Sequence, residues 1–358
     1  MSGKKKVVAL GGDGVGPEVV DAACHVLENA GFNLEIVRPP CGEAAMEQYG
    51  DAFPEETRRL CDAADAILFG ATGTTSGAIL AYLRWILDNY VNVRPLKYYA
   101  GARSCLKDPE GIDFVILREN SEGMYSFFGG DLSMLREKLP DFQNRMGKSL
   151  ADFGEGKFAL RIVSEHGTRR LAIFACEFAL ERKKNGYPGK LACPTKSNVI
   201  PGTDRLFERI VEEEVNKHPE LSYEHYYADD MARRILRFPR DMDVIVAENM
   251  FGDILADEAA EVVGGLGIAS SACFGGKVPY FESVHGSAPD IAGKSIVNPT
   301  ATILSARLML DYLGLHNEAD SLESAVAAVY SDGKSLTGDQ GGSATTMEFA
   351  QAILREIR

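Results

Sequence analysis

The sequence contains no closely spaced pair of cysteines and no long apolar run. Its seven cysteines are scattered, and no two of them have C-x-x-C spacing. An odd number of dispersed cysteines argues against a disulfide framework and against a zinc motif. The run Val7 to Leu10 stops at a glycine, and the apolar stretch Leu171 to Leu180 is interrupted by Glu177. We therefore expect a cytoplasmic protein with reduced thiols, no secretory leader and no membrane-spanning helix.

Positive charge is also scarce. The 358 residues include 38 lysines and arginines against 52 aspartates and glutamates, which gives a formal net charge of -14. A field of this sign repels phosphate backbones and anionic lipid, so we expect neither a nucleic-acid nor a membrane partner. An anionic substrate would need arginines gathered in a cleft, or a bound dication.

Several catalytic signatures are missing. The sequence has no G-x-S-x-G and no H-E-x-x-H, and Pro17 stands where a G-x-G-x-x-G starting at Gly12 needs its last glycine. Six residues separate Gly286 from Gly293, where a phosphate-binding P-loop has four. These mismatches argue against serine hydrolases, zinc peptidases, Rossmann dinucleotide folds and P-loop nucleotide triphosphatases. The first glycine cluster, Gly11 to Glu18, is better interpreted as a tight structural turn.

Short β-branched runs alternate with helical stretches along the chain. This alternation predicts an α/β fold with much parallel sheet. The predicted strands include 7–10, 34–37, 66–69, 114–117, 158–163, 190–194, 223–228 and 244–247, and the predicted helices include 17–29, 55–63, 76–89, 168–184, 204–216, 230–238 and 251–263. Residues 126–156 lack clear periodicity and are too long for a simple connection, so we expect an arm there.

Three groups of residues have the chemistry of a binding site. Asp253 and Asp257 are four residues apart, so on a helix they share one face and are suited to a hard divalent cation. Asp229 could add a third ligand, but acids near a helix start are also explained by the helix dipole.

Arg84, Arg94 and Arg118 would together suit a di- or tricarboxylate, although each alone could be a surface ion-pair partner. The loop containing Asp290 is either a solvated turn or an acceptor for a ribose diol.

These segments resemble the metal-dependent β-decarboxylating dehydrogenases, which include 3-isopropylmalate, isocitrate, homoisocitrate and tartrate or D-malate dehydrogenases. The resemblance covers essentially the whole chain. Its motifs, in order, are GGDGVGPE, Leu83-Arg84 through Asn92-Val93-Arg94-Pro95, Arg118-Glu119-Asn120-Ser121-Glu122 with Tyr125, Lys196-Ser197-Asn198-Val199, Tyr227-Ala228-Asp229, NMFGDILAD, and HGSAPDIAGK followed by Asn298-Pro299.

The resemblance implies a role for each matched residue. Arg84, Arg94 and Arg118 would hold the carboxylates of a malate. Asp253 and Asp257, with Asp229 of the partner subunit, would hold Mg²⁺ or Mn²⁺. Lys196, contributed across a dimer, would be the general base, and Tyr125 would protonate the enol carbon. The residues that would bind the cofactor are Thr72, Glu282, His285, Gly286, Ser287, Ala288, Pro289, Asp290, Ile291 and Asn298. The acid at Asp290 favours NAD over NADP, because it would repel a 2′-phosphate.

The resemblance also implies an architecture. Members have two α/β domains and are not Rossmann folds. We expect a cofactor-binding domain formed by residues 1–98 plus 264–358, and a substrate and dimerisation domain formed by 99–263, with an arm within 126–158. The expected assembly is a homodimer with shared sites, which could assemble further.

Substrate choice in this family depends on the helix turn before Arg84. Isocitrate members place serine and asparagine where Ala78 and Leu80 stand here, and homoisocitrate members place arginine near Ala81. Leu80 therefore favours an apolar substituent, and 3-isopropylmalate is the first expectation. Isocitrate, homoisocitrate, tartrate and D-malate remain alternatives, because Ser76 or Tyr82 would reach the substrate in another register. A non-catalytic regulatory subunit is the remaining class.

Overall fold

A computed structural model describes residues 3–357, which form a mixed α/β fold. The strands are β1 (Lys5–Gly12), β2 (Leu34–Val37), β3 (Ala66–Ala71), β4 (Val91–Lys97), β5 (Asp113–Glu119), β6 (Gly129–Asp131), β7 (Lys157–Ala159), β8 (Lys190–Thr195), β9 (Ser222–Tyr227), β10 (Val244–Ala247), β11 (Ser270–Phe274) and β12 (Tyr280–Ser283). Ten of these described strands form one sheet in the order β2-β1-β3-β12-β11-β4-β5-β10-β8-β9.

Helices separate most of the strands along the chain, and α10 to α12 follow the last strand. They are α1 (Gly16–Asn29), α2 (Gly42–Tyr49), α3 (Glu55–Asp62), α4 (Gly77–Ala81), α5 (Leu132–Lys138), α6 (Glu165–Lys184), α7 (Pro201–Val215), α8 (Ala228–Arg237), α9 (Asn249–Val263), α10 (Thr300–Tyr312), α11 (His316–Asp332) and α12 (Thr346–Glu356). Single helical turns also form at Tyr82–Ile86 (π), and at Met124–Ser126, Leu150–Phe153, Pro239–Asp241 and Gly338–Gln340 (3₁₀).

The sheet is parallel at both ends and antiparallel in the middle. The antiparallel ladders join β12 to β11, β11 to β4, and β4 to β5. Although β11 and β12 belong to the last third of the chain, they lie between β3 and β4. The chain therefore returns to the centre of its own sheet, and this mixed order confirms an α/β fold that is not a Rossmann fold. The division into domains at residues 98 and 264 stays a prediction.

Helices cover both faces of the sheet, so most residues of the inner strands are apolar and buried. Val7 and Ala9 of β1 face a core formed with α1, α10, α11 and α12, while Val8 and Leu10 face another beside α4. In the other half of the sheet, β5, β8 and β10 pack against α6 and α7 on one face and against α8 and α9 on the other. Arg94 and Arg118 lie on β4 and β5, between these two halves.

Two sequence expectations need correction. The helix predicted over 76–89 is one α-turn, α4, followed by the π-turn Tyr82–Ile86. The strand predicted over 158–163 is shorter, because β7 ends at Ala159 and Ile162 instead forms an isolated bridge with Gly123. The predicted arm contains β6, α5 and β7, and it exposes large apolar side chains, including Phe127 and Met146.

Two further observations concern the thiols and the membrane. Cys105 is exposed and the other six cysteines are buried, and within residues 3–357 none of them forms a disulfide. Along the same residues, no helix has both the length and the apolar content needed to cross a bilayer.

Candidate active site

A polar cleft of about 180 Å³ lies beside the middle strands of the sheet. Most of the side chains singled out in the sequence meet there, although they come from distant parts of the chain. The residues that line it are Gly70, Ala71, Thr72, Leu80, Arg84, Arg94, Arg118, Tyr125, Asp253, Glu282, Ser283, Val284, His285 and Gly286.

Two of the three arginines of the cleft are almost completely buried, and the third, Arg84, exposes 13% of its side chain. Arg94 and Arg118 come from the paired strands β4 and β5 and are 4% and 2% exposed. Arg118 is held by Asn249, whose backbone oxygen accepts from Nε at 3.0 Å and whose side-chain oxygen accepts from Nη2 at 2.8 Å. Arg84, on the π-turn, donates from Nε to the hydroxyl of Tyr280 at 3.3 Å. Each guanidinium is therefore held in place before any ligand binds.

Three arginines and two acids, Asp253 and Glu282, line the cleft, and Arg84 Nη2 lies 3.8 Å from Glu282 Oε1. Burial and the nearby charges of Arg94 and Arg84 lower the pKa of the Arg118 guanidinium below its ordinary value. The acid that most directly offsets these charges is Asp253, whose Oδ1 accepts from Arg118 Nη1 at 2.5 Å and from Arg94 Nη2 at 3.2 Å. Three guanidinium groups that converge on one cleft are suited to a ligand with more than one carboxylate.

Asp253 and Asp257 lie one helical turn apart on α9, as their spacing predicts. Asp257 reaches Arg94 at 3.7 Å and is the more exposed of the two, with 55% of its side chain accessible against 32% for Asp253. Burial alone would raise the pKa of Asp253, but Arg118 and Arg94 outweigh it and lower that pKa, so the carboxylate stays ionised. Within residues 3–357 of one chain, no third acid, histidine or cysteine joins them closely enough to complete a metal site.

Tyr125 lies on the 3₁₀ turn that follows β5. Its hydroxyl donates to Asp253 Oδ2 at 3.2 Å, and the Arg118 guanidinium is 5.6 Å from the centre of its ring. Burial and the Asp253 carboxylate raise the pKa of Tyr125, so the phenol is held in its protonated form. A protonated phenol therefore lies at the wall of the cleft.

Lys196 and Asp229 are not brought to this cleft within a single chain. Lys196 follows β8, and its Nζ donates to Asp229 Oδ1 at 2.6 Å. Asp229 lies in the first turn of α8 and exposes 71% of its side chain. Neither residue is among the lining residues of the cleft in the part of the chain that the structure describes.

Leu80 is the apolar side chain that α4 presents to the cleft. Leu80 and Arg84 both line it, whereas Ser76 is fully buried and Tyr82 donates its hydroxyl to Asp62, away from the arginines. The π-turn begins at Tyr82, between Leu80 and Arg84. In this conformation neither Ser76 nor Tyr82 is among the described residues that line the cleft, so the geometry favours Leu80 over these two alternatives.

The predicted cofactor loop begins at the edge of the cleft. Thr72, Glu282, His285 and Gly286 line the cleft, and the segment from Ser287 to Ile291 continues outward to the exposed Asp290. The Nδ1–H of His285 donates to the Gly286 carbonyl at 3.0 Å, so the other ring nitrogen, Nε2, is an acceptor. That nitrogen is buried and has no hydrogen-bond partner among the described residues. Burial also lowers the pKa of His285, which favours the neutral ring.

Asn298 has a different setting from the other predicted cofactor residues. It is 4% exposed, and its amide donates to Asp339 Oδ2 at 2.9 Å and to the Tyr330 hydroxyl at 3.2 Å. Its side-chain oxygen accepts from the backbone N–H of Thr300, where α10 begins. The structure therefore places this side chain against α10, α11 and Asp339, and it is not among the described residues that line the cleft.

Asp13 is a positioning residue that the sequence did not reveal. This carboxylate, only 1% exposed, accepts backbone N–H bonds from Gly73, Thr75 and Ser76 at 2.8–3.1 Å and from Glu43 at 3.1 Å. It thus fixes the loop that leads into α4. An aspartate in a glycine-rich turn normally forms local hydrogen bonds. The sequence therefore contains no signal for its contacts with Gly73, Thr75 and Ser76, some 60 residues away.

The same glycine turn also contacts the cofactor loop. Val15 donates its backbone N–H to the Ser287 carbonyl at 2.9 Å, and Gly14 has φ +58°. A Cβ atom on Gly14 would lie 2.0 Å from the Ser287 carbonyl oxygen, so only glycine permits this approach. One turn therefore contacts both the loop before α4 and the loop after β12.

Comparison with known proteins places the chain in a family. Residues 6–353 match the family model described as isocitrate/isopropylmalate dehydrogenase. The chain is 43% identical to the 3-isopropylmalate/3-methylmalate dehydrogenase of Methanocaldococcus jannaschii, with 99% of each chain covered. It is 40% identical to the 3-isopropylmalate dehydrogenase of Archaeoglobus fulgidus, with 98% of each chain covered.

A solved structure shows the same fold. The isocitrate dehydrogenase from Methylococcus capsulatus superposes with a TM-score of 0.86 at 31% identity, and 99% of each chain is covered. The agreement of family model, relatives and fold over nearly the whole length confirms the resemblance found in the sequence. The chain belongs to the isocitrate/isopropylmalate dehydrogenase family.

Proposed function

We propose that this protein is an NAD-dependent and divalent-metal-dependent dehydrogenase that oxidises and decarboxylates a 3-substituted malate, with 3-isopropylmalate as its substrate. The observation that carries this proposal is the convergence of Arg84, Arg94 and Arg118 with Asp253 and Leu80 in one small cleft. The reaction converts a 2-hydroxy acid into a 2-oxo acid, passes a hydride to NAD and releases CO₂.

The arginines bind the two malate carboxylates. Arg94 and Arg118 both donate to Asp253 Oδ1 in this structure. A substrate carboxylate takes the place of this acceptor, so neither guanidinium is left without an anionic partner. Because these side chains are buried and already held by Asn249 and Tyr280, little conformational freedom is lost on binding.

Asp253 and Asp257 supply hard oxygen donors that fit Mg²⁺ or Mn²⁺. When bound, the cation lowers the pKa of the substrate 2-hydroxyl and stabilises the negative charge that develops as CO₂ leaves. Two carboxylates are an incomplete ligand set, and Asp229 of the partner subunit completes it in our proposal. The exposure of Asp229 supports its availability to a second chain.

Two proton transfers remain for the chain's own groups. Lys196 of the partner subunit removes the proton of the 2-hydroxyl as general base. Tyr125 then protonates carbon 3 of the enol, and its raised pKa keeps it protonated for this step. Its hydrogen bond to Asp253 holds the phenol beside the metal ligands.

The acid at the exposed position 290 supports NAD as the hydride acceptor, because Asp290 repels a 2′-phosphate and accepts from a free ribose diol. The unpartnered Nε2 of His285 is a ready acceptor for an amino group of the nucleotide. We assign Asn298 to the same cofactor site, where Asp339 and the start of α10 hold its side chain.

Large apolar side chains support a homodimer with shared sites. Val199, beside Lys196, is 66% exposed, and Ile254, beside Asp253, is 59% exposed. On the arm, Phe127 and Met146 are 80% and 86% exposed. Exposed apolar groups of this number commonly mark an interface, and a second copy of the chain would cover them.

Isocitrate and homoisocitrate are the competing substrates, and the M. capsulatus match is named an isocitrate dehydrogenase. Both carry an additional carboxylate on the carbon 3 substituent. Leu80 is the side chain of α4 that lines the cleft, and it offers no hydrogen bond. An unpaired carboxylate there costs desolvation, whereas an isopropyl group gains burial.

The test is NADH formation with Mn²⁺, comparing 3-isopropylmalate, isocitrate, homoisocitrate and D-malate, each with and without chelator. We expect 3-isopropylmalate to have the highest kcat/KM and the chelator to abolish turnover. Dominant isocitrate turnover would overturn the substrate assignment, and full activity in chelator would overturn the metal. Asp290→Arg should shift preference toward NADP, whereas Glu356→Arg, which makes the same charge change at the end of α12, should not.

A further inference from the structure

A buried ion cluster joins the loop of Lys196 to the helix of Asp253. Its centre is Arg161, which lies between β7 and α6 and exposes 8% of its side chain. The guanidinium contacts Asp204 through Nη1 and donates from Nε to Glu248 Oε1 at 3.0 Å. Asp204 and Glu248 expose only 1% and 3% of their side chains.

The first branch of the cluster leads to the proposed base. Asp204 Oδ2 accepts the backbone N–H of Lys196 at 2.5 Å, and Arg161 Nη1 also donates to Thr203 Oγ1 at 3.0 Å. The main chain of Lys196 is therefore held by a carboxylate whose other oxygen is occupied by Arg161. The lysine side chain itself is outside the cluster, paired with Asp229.

The second branch leads to the proposed metal ligands. Glu248 is the N-cap of α9, and its Oε2 accepts the backbone N–H of Phe251 at 3.3 Å. Phe251 also packs under Arg161, 5.2 Å from its guanidinium carbon. Asp253 follows two residues later, so the start of the helix that carries it is set by Glu248 and Arg161.

A third contact reaches the segment before Tyr125. Ile162, next to Arg161, exchanges backbone hydrogen bonds with Gly123 at 2.7 and 3.2 Å. A Cβ atom on Gly123 would lie 2.8 Å from Glu248 Oε1, so this segment rests directly on the cluster.

We infer that Arg161 is a positioning residue that sets both the loop of Lys196 and the start of α9. The inference rests on the proposed function, in which Lys196 acts in the partner's cleft while Asp253 and Tyr125 act in their own. One guanidinium then influences both active sites of a dimer. A lysine cannot replace it, because the single ammonium lacks the planar fork that reaches two carboxylates at once.

Hybrid dimers separate the two effects. The reference hybrid pairs a wild-type chain with a Lys196→Ala chain, so one of its two sites has a base. In the first test hybrid, Arg161→Lys is placed in the chain that donates the remaining Lys196. In the second, Arg161→Lys is placed in the Lys196→Ala chain, whose cleft is the active one. Two affinity tags isolate each hybrid, and turnover is measured with 3-isopropylmalate, NAD and Mn²⁺.

We expect both test hybrids to lose about tenfold or more in kcat relative to the reference, as small misplacements of catalytic groups do. In the first hybrid, KM for the malate should stay within about twofold. In the second, the Mn²⁺ concentration for half-maximal rate should rise. Arg169→Lys, which changes an ion-pair cluster on α6 and α7 with Glu165, Glu213 and Glu214, is the matched control and should change neither quantity.

Different outcomes would contradict the role of Arg161 and the proposed function. Full activity in either test hybrid would overturn the inference, since Arg161 would then serve at most one of the two sites. Equal losses with Arg169→Lys would assign the effect to general stability. A Lys196→Ala homodimer that retains turnover, or an inactive reference hybrid, would instead contradict the proposed function. Arg161→Lys keeps the positive charge that Asp204 and Glu248 require, so folding should be preserved. Arg161→Met would instead leave both buried acids unpaired, which is why lysine is the replacement chosen.

Discussion

The arginines of the cleft and the Lys196–Asp229 pair are charged groups that we assign to the same substrate, yet they have opposite environments. Arg94 and Arg118 are nearly inaccessible to water, whereas Asp229 exposes 71% of its side chain. Burying a cation costs several kcal/mol unless partners surround it, and Asn249 and Asp253 provide them here. The arginines are thus paired within the buried part of the chain itself, while the side chains of Lys196 and Asp229 are joined by an ion pair at the surface.

The sharpest test of this comparison is Lys196→Ala. We expect kcat to fall about 10²- to 10⁴-fold, the range typical of a lost general base, with no change in the unfolding midpoint. Lys190→Ala is the matched control, because Lys190 lies on β8 and pairs with Glu224 at 2.6 Å. Similar losses in both variants would show that the effect comes from the strand and not from the base.

Arg118→Met tests the buried half. The loss of its bonds to Asn249 and Asp253 should lower the free energy of unfolding by about 3 kcal/mol. KM for the malate should rise about 30- to 100-fold, as expected for a lost charged bidentate contact. Arg240→Met, at an exposed ion pair with Asp108, should leave both quantities nearly unchanged. Chemical denaturation and initial rates measure the two effects, and a fully stable Arg118→Met would contradict the view that this half is built into the fold.

Leu80→Ala sharpens the comparison within the cleft. Removing the apolar wall should lower kcat/KM for 3-isopropylmalate about 10- to 30-fold, while D-malate, which lacks the branch, should lose little. Leu236→Ala, at an exposed position of α8, is a control for the loss of side-chain volume. Equal losses for the two substrates would place the substituent elsewhere.

Asp13→Asn should have the smallest effect. The amide retains one acceptor for the N–H groups of Gly73, Thr75 and Ser76, so we expect about 1–2 kcal/mol less stability and a rise of about fivefold in KM for the malate. Asp51→Asn serves as the control, because Asp51 is exposed and its carboxylate accepts from the backbone N–H of Phe53. An unchanged KM would mean that α4 keeps its position without this anchor.

The sequence was most informative where a short β-branched run ended abruptly. The predicted strands 34–37 and 244–247 have the bounds of β2 and β10, because polar or charged residues flank both runs. The spacing of Asp253 and Asp257 likewise specified one face of α9. Local pattern therefore recovered the elements and the face on which these acids lie.

Other features depend on contacts that local pattern does not encode. The predicted helix over 76–89 changes to a π-turn at Tyr82, and a periodicity near 3.6 does not distinguish that turn from an α-helix. The anchoring role of Asp13 arises from residues some 60 positions away. The role of Lys196 came from the family resemblance alone, since its own contacts are a surface ion pair and a backbone hydrogen bond.

The anchor at Asp13 has a consequence for how this enzyme can change its substrate. In the segment from Thr72 through Arg84, its carboxylate accepts the main-chain N–H groups of Gly73, Thr75 and Ser76, so this attachment does not depend on which side chains stand there. The same segment is also packed, because Ile79 and Leu83 are fully buried in the core beside α4. A segment grafted from a relative with another substrate should therefore attach at the same point, provided that it keeps these two apolar positions, and it is a direct route to a new specificity on an unchanged scaffold.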